Sequence, residues 1–97
     1  MSSLIKKFAA NMFLNGESLG GFLYVYENGL RFKSHAFNFQ KADVWIDILD
    51  IQNLENFNTL FFIPNGLKVS CSTSEYDFVV WNRSKVSKLI ASLSHKK

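Results

Sequence analysis

The architecture of this chain is most evident in the segment Gly21-Phe-Leu-Tyr-Val-Tyr-Glu-Asn-Gly-Leu-Arg-Phe-Lys-Ser-His35. An Asn-Gly pair, Asn28-Gly29, lies at its centre, and both residue types tolerate the positive φ angles that a two-residue β-hairpin turn requires. The residues after this pair alternate strictly, with Arg31 and Lys33 on the side opposite to the apolar residues. The pattern predicts a β-hairpin with one face in contact with solvent.

Apolar and β-branched segments on both sides of this hairpin predict further strands. They are residues 4–13, 44–48, 51–57, 67–73 and 76–81. Residues 4–13 fit a helical period as well as a strand period, and we favour the strand because the neighbouring strands need partners. Further turns are expected at Pro64-Asn65-Gly66 and at Ser74-Glu75.

A C-terminal amphipathic helix is predicted after the last strand. Ser84 can cap its start, and the residues that then form one apolar stripe are Val86, Leu89, Ile90 and Leu93. Residues 78–81 are apolar on both faces of their strand, and we expect this helix to cover the outer face. Six or seven antiparallel strands closed by one helix make a mainly β domain, a partly open barrel or sandwich.

Length and composition limit the class of protein. Ninety-seven residues suffice for one domain, residues 1–97, and an apolar fraction of 47% excludes an intrinsically disordered chain. The longest unbroken apolar run is five residues, from Phe22 to Tyr26, whereas a membrane-spanning helix needs about 20. No secretion signal is visible and a single cysteine fits a reducing compartment, so we expect a cytoplasmic location.

The net charge of +3 arises from the C-terminal segment. Residues 82–97 contain five basic residues and no acid, which leaves a net charge of −2 for the remaining 81 residues. A nucleic-acid-binding domain of this size would carry a basic stripe over its folded body. The distribution argues against a nucleic-acid partner and favours a structural role, because basic residues stabilise the C-terminal end of a helix.

Groups suited to catalysis or metal binding are sparse. His95 lies in the terminal tail and His35 ends a strand, and neither has a nucleophile or an acid at a spacing typical of a catalytic pair. Cys71 alternates with apolar residues and is interpreted as a small buried thiol. Asp47 and Asp50 flank a bend, where capping of backbone amides is favoured over a cation site. We predict no catalytic, cofactor-binding or metal-binding site and no enzyme activity.

Several segments of the chain resemble the GRAM domain family. The second and third strands of that family are similar to Gly20-Gly-Phe-Leu-Tyr-Val-Tyr26 and Gly29-Leu-Arg-Phe-Lys-Ser-His35. Its step into the fifth strand resembles Trp45-Ile-Asp-Ile-Leu-Asp-Ile51, and the end of the domain resembles Ile63-Pro-Asn-Gly-Leu-Lys-Val69 followed by Phe78-Val-Val-Trp-Asn-Arg83. The resemblance covers residues 8–94, leaves 95–97 as a basic tail, and is greatest to the stand-alone bacterial members. It implies a pleckstrin-homology-like fold with seven bent strands and a C-terminal helix across one open end, and it favours the strand at residues 4–13.

The resemblance also implies a non-enzymatic module that associates with lipid at a membrane surface. Pleckstrin-homology modules that bind phosphoinositides carry basic residues along their second strand, and residues 21–26 contain none. The remaining candidate contacts with anionic lipid or with a protein are Arg31, Lys33, Phe37, Phe39, Lys41, Phe61 and Phe62. The alternative function is protein interaction or self-association without lipid, through an apolar loop or an open sheet edge.

The four phenylalanines among these candidates have two open interpretations. Phe61 and Phe62 belong to a predicted loop at residues 58–65, which either folds back onto the core or contacts a partner, because exposed large apolar side chains forgo the free energy of burial. Phe37 and Phe39 are either a wedge between lipid headgroups or alternate core residues of an extended strand.

Overall fold

The computed structural model describes residues 3–35, 41–59 and 63–94. Its elements are β1 (Leu4–Leu14), β2 (Glu17–Tyr26), β3 (Gly29–Ser34), β4 (Asp43–Asp47), a 3₁₀ turn (Ile48–Asp50), β5 (Ile51–Thr59), β6 (Ile63–Cys71), β7 (Glu75–Val80) and α1 (Arg83–Ser94). The described part of the chain therefore has the predicted plan of seven antiparallel strands followed by one helix, and the N-terminal segment is a strand.

The strands form one antiparallel sheet in the order β4-β3-β2-β1-β7-β6-β5. β1 joins its two halves, because it pairs with β2 along its length and with β7 through Ala10, Asn11 and Met12. β4 and β5 are linked by the short 3₁₀ turn, yet they lie at opposite edges of the sheet. The sheet is therefore open between them, and α1 packs against the 3₁₀ turn, β5, β6 and β7.

The core lies between the two halves of the sheet and one face of α1. The Phe32 ring of β3 lies 5.8 Å from the Phe78 ring of β7, which brings the halves into contact. Val86 and Ile90 of α1 are completely buried in the same core. The other large, fully buried side chains are Leu23, Val25, Leu30, Leu67, Val69 and Val80.

The turn of the β2–β3 hairpin differs from the prediction by one residue. Tyr26 pairs with Gly29, so Glu27 and Asn28 form the connection and Gly29 is the first residue of β3. Gly29 instead allows the Trp45 indole to pack closely against the β3 backbone, since a Cβ atom at this position would overlap the indole. The positive φ angles expected at Asn28-Gly29 occur at Asn15 (52°) and Gly16 (81°), which join β1 to β2.

The predicted loop at residues 58–65 is wrong at both ends. β5 continues to Thr59 and β6 begins at Ile63, so the Asn65-Gly66 pair lies inside a strand rather than in a turn. Asn65 is buried, and its side-chain oxygen accepts a 2.7 Å hydrogen bond from the Thr59 hydroxyl across the hairpin. A Cβ atom on Gly66 would overlap the Phe57 ring, so cross-strand packing explains both residues.

The start of α1 differs from the sequence prediction in its cap and in the exposure of Trp81. The helix begins at Arg83 and the backbone N–H of Val86 donates to Asn82, so the predicted cap Ser84 lies within the first turn. Val86 and Ile90 are buried and the rest of the predicted stripe is half-buried against the core. Trp81, which we expected the helix to cover, is 74% exposed because β7 ends at Val80 and the chain reverses there.

Replacement of Ile90 by aspartate tests the role of α1. Ile90→Asp removes a fully buried side chain and places a charge in the core, and we expect a loss of about 4 kcal/mol or more in the free energy of unfolding. Thermal denaturation followed by circular dichroism measures the change. Ser84→Asp adds the same charge at an exposed position in the first turn and should leave the melting temperature within a few degrees. Equal melting temperatures for Ile90→Asp and the unmodified protein would contradict the packing of α1 on the core.

Candidate functional site

A cleft lies where the end of β3 meets the start of β4. Its volume is about 370 Å³, and it is lined by Lys33, Ser34, Lys41, Ala42 and Asp43. Two hydrogen bonds fix its wall: the Ser34 backbone N–H donates to the Ala42 carbonyl at 2.9 Å, and the Ala42 N–H donates to the Ser34 hydroxyl oxygen at 2.8 Å. We call this site the β3–β4 cleft.

Arg31, the third basic residue near this cleft, is occupied by an ion pair. Its Nε and Nη2 atoms donate to the two carboxylate oxygens of Asp43 at 2.8 and 2.6 Å. This bidentate pair raises the pKa of Arg31 and, with a smaller contribution from Lys33, lowers the pKa of Asp43. The pair neutralises Arg31, and the positive charge of the cleft comes from Lys33 and Lys41.

The chemistry of the β3–β4 cleft suits an anion. Lys33 and Lys41 each bring an ammonium group with three N–H donors. The Ser34 oxygen accepts the Ala42 N–H, so its own O–H is available to donate to a further acceptor. The site therefore offers two charged donors and one neutral donor, which is a set of groups that binds phosphate or carboxylate oxygens.

The candidate residues from the sequence have different outcomes. Lys33 and Lys41 are 8 positions apart in the chain and line the same cleft. Arg31 is close by but is paired with Asp43. The aromatic candidates Phe37, Phe39, Phe61 and Phe62 lie outside the described residues. Of the seven candidate residues, Lys33 and Lys41 therefore line the β3–β4 cleft.

The outer face of the sheet carries an aromatic layer that the sequence analysis missed. The Lys7 ammonium of β1 lies 4.5 Å from the centroid of the Phe22 ring and 6.0 Å from that of Tyr24. Tyr26 continues this row along β2, and its ring lies 5.9 Å from the ring of Trp45 on β4. The alternation of Phe22, Tyr24 and Tyr26 with buried residues was the available signal. Cation–π contacts within the chain stabilise this face.

A second cleft, of about 630 Å³, lies at the junction of β7 and α1. Its lining residues are Trp81, Asn82, Arg83, Ser84, Lys85 and Lys88. Arg83 is fixed, because its Nη1 atom donates to the Phe57 carbonyl at 2.9 Å and contacts the Gly66 carbonyl at 3.4 Å. Trp81 continues an apolar strand pattern, so its exposure could not be predicted from the sequence.

Four of the groups considered for catalysis have structural contacts, and the fifth, His95, lies outside the described residues. The rings of His35 and Phe22 pack edge to face, and their centroids are 5.3 Å apart. Asp47 caps the 3₁₀ turn through the Leu49 N–H, as predicted, and Asp50 accepts a 2.6 Å hydrogen bond from the Ser72 hydroxyl. Cys71 packs against the core but is only half-buried, which corrects the prediction of a fully buried thiol; partial burial, and secondarily Asp50, raises the pKa of this thiol.

The described part of the chain has neither a metal-ion cluster nor a membrane-spanning helix. Within residues 3–35, 41–59 and 63–94, no group of three or more histidine, cysteine or acidic side chains is placed to hold a metal ion. In the same part of the chain, no helix has the length and apolar character needed to cross a bilayer.

The Arg31–Asp43 pair predicts a specific pH response. The folded pKa of Asp43 is lowered, so the stabilisation from the pair is complete above the ordinary carboxyl pKa and is lost as the pH falls through the lowered value. Arg31→Gln should raise the pKa of Asp43 toward its ordinary value, as followed by the side-chain ¹³C shift in an NMR titration. Lys85→Gln removes an equal charge from α1 and should leave the Asp43 titration unchanged. A titration that Arg31→Gln does not alter would contradict the pair.

Comparison with known proteins identifies the fold. No protein-family model matches the chain, and no curated protein matches its sequence. Among solved structures, the C-terminal domain of an unknown protein from Leishmania infantum is similar to it, with a TM-score of 0.84 and 15% identity over 98% of this chain and 86% of that one.

A second solved structure has the same fold. The Slm1-PH domain in complex with phosphoserine matches with a TM-score of 0.66 and 9% identity over 93% of this chain and 91% of that one. At such identities the likeness concerns the fold alone. The seven-stranded open sheet with its C-terminal helix is a pleckstrin-homology-like fold, as the resemblance to GRAM domains implied.

Proposed function

We propose that this protein is a non-enzymatic binding module of the GRAM type that associates peripherally with an anionic membrane surface in the cytoplasm. The observation that carries the proposal is the β3–β4 cleft, in which Lys33, Lys41 and the Ser34 hydroxyl line one cavity. These groups would bind the phosphate of a lipid headgroup. The GRAM assignment is supported by the sequence segments described above together with the pleckstrin-homology-like fold.

The charge arrangement supports a small, phosphate-bearing ligand rather than a broad basic surface. Asp43 neutralises Arg31 on one side of the cleft, and Lys68 on β6 is paired with Asp77 at 3.1 Å and with Glu75 at 3.5 Å. The basic side chains that line the cleft are Lys33 and Lys41. The likeness to the Slm1-PH domain, which was solved with phosphoserine, adds support for a phosphoserine-type headgroup.

Protein interaction or self-association is the alternative function, and the open sheet edge favours it. β5 is nine residues long and pairs with β6 on one side, and its other side is an edge of the sheet. An unpaired edge can accept a strand from a partner or from a second copy of the chain. Under this alternative, light scattering after size exclusion would show a dimer or a complex, and the β3–β4 cleft would have no role.

Phosphoserine is a direct probe of the β3–β4 cleft. In ¹⁵N–¹H NMR spectra, O-phosphoserine should shift the backbone amides of Ser34 and Ala42, whose hydrogen bonds form the wall of the cleft. The Lys33→Ala/Lys41→Ala double variant should lose most of this response, because it removes both charged donors. Added salt should weaken the binding, since the contacts are exposed and electrostatic.

Two controls make the result specific. L-serine lacks the phosphate and should cause no comparable shift, and Lys85→Ala/Lys88→Ala removes the same number of charges from α1 while leaving the cleft intact. Equal responses to serine and phosphoserine, or an unchanged response in Lys33→Ala/Lys41→Ala, would contradict the proposed function.

A further inference from the structure

We infer that Trp81, Lys85 and Lys88 form a second membrane contact, in which the indole enters the headgroup layer of an anionic bilayer. We call these three residues the Trp81 surface. The inference rests on the proposed function in so far as it commits to a membrane as the partner. It uses a different part of the molecule from the β3–β4 cleft, so the two can be tested separately.

The exposure of Trp81 follows from the path of the chain. Val80, the residue before it, is completely buried and is the last residue of β7, paired with Ala10 of β1. Trp81 follows the end of β7, in the turn that leads into α1, and is 74% exposed. Tryptophan combines a large apolar ring with one N–H donor, a combination enriched where membranes meet water.

The corner that carries Trp81 is held in place. The guanidinium of Arg83 donates to the carbonyls of Phe57 and Gly66, which ties the start of α1 to the β5–β6 hairpin. The Val86 N–H donates to the Asn82 carbonyl and closes the first turn of the helix. The indole is therefore presented from a fixed position, which reduces the conformational entropy lost on binding.

The charges around Trp81 complement an anionic surface. Val86 and Ile90 face the core, so Lys85 and Lys88 lie on the exposed side of α1, one turn apart. Both lysines line the same cleft as Trp81, and none of the lining residues is acidic. Basic residues beside an exposed aromatic ring are the combination that binds anionic lipid surfaces.

Trp45 provides a matched comparison within the same chain. It is 47% exposed, but it lies on β4 between the acidic positions Asp43 and Asp47, and its ring contacts Tyr26. Arg31 offsets the charge of Asp43, and Asp47 adds a further negative charge, which disfavours approach to anionic lipid. An exposed indole alone therefore does not define the proposed contact, and the lysines beside Trp81 distinguish the two tryptophans.

Tryptophan fluorescence with vesicles tests the inference. The chain has two tryptophans, so Trp45→Phe leaves Trp81 as the single tryptophan that fluoresces. With phosphatidylcholine vesicles that contain phosphatidylserine, its emission should shift to shorter wavelength, become protected from acrylamide and be quenched by brominated lipid. Pure phosphatidylcholine vesicles should cause little change. In co-sedimentation, Trp81→Ser and Lys85→Ser/Lys88→Ser should each lower the affinity for the anionic vesicles on the order of tenfold.

Trp45→Ser is the control, and it should leave vesicle affinity nearly unchanged. Trp81 is exposed, so Trp81→Ser should keep the melting temperature of the unmodified protein. The inference is overturned if vesicle-bound protein shows unchanged Trp81 emission, if Trp45→Ser weakens binding as much as Trp81→Ser, or if no anionic vesicle is bound. A dimer that Trp81→Ser dissociates would overturn it as well, since the surface would then serve a protein contact. Phosphoserine binding through Lys33 and Lys41 is independent of all these outcomes.

Discussion

The rest of the structure depends on the packing of α1 against a sheet that cannot close by itself. β4 and β5 are the two edges of the sheet and do not pair with each other, and α1 packs against the 3₁₀ turn that links them. Val86 and Ile90 are completely buried, and they join inward-facing residues from both halves of the sheet in one core. Without the helix these residues would face water, and the burial of apolar surface is the main favourable contribution to folding.

This packing also determines which residues are presented to a partner. Once Val86 and Ile90 face inward, the helical period places Lys85 and Lys88 outward, and the start of the helix at Arg83 leaves Trp81 at an exposed corner. The β3–β4 cleft has a different origin, because it depends on the register in which β4 pairs with β3 at Lys33 and Asp43. The two proposed membrane contacts thus arise from the helix and from the sheet, respectively.

The Asn-Gly pairs show what the sequence predicts and what it cannot. The same two residue types form the β1–β2 turn at Asn15-Gly16, end one turn and start a strand at Asn28-Gly29, and lie within β6 at Asn65-Gly66. Gly29 and Gly66 are required by rings that approach from other strands, and no local pattern carries that information. Alternation and the apolar stripe did predict the strands and the helix, because both depend on periodicity along one element, and the resemblance to GRAM domains implied their fold.

The candidate site was predictable to a similar extent. Lys33 and Lys41 were identified as basic residues near the third strand, whereas the neutralisation of Arg31 by Asp43 depends on cross-strand register over 12 positions. Trp81 was assigned to the covered strand because its exposure depends on where β7 ends. Both the Arg31–Asp43 pair and the exposure of Trp81 depend on tertiary structure rather than on local propensity.

Native-state hydrogen exchange tests most directly whether α1 is an integral part of the core. If the account is correct, the backbone amides of Leu89 and Ile90 in α1 exchange with the same free energy of opening as those of Leu23 in β2 and Leu67 in β6, because all of them open in one cooperative unfolding step. If the α1 amides exchange with a much lower free energy while the strands stay protected, the helix opens independently of the core and the central claim is contradicted.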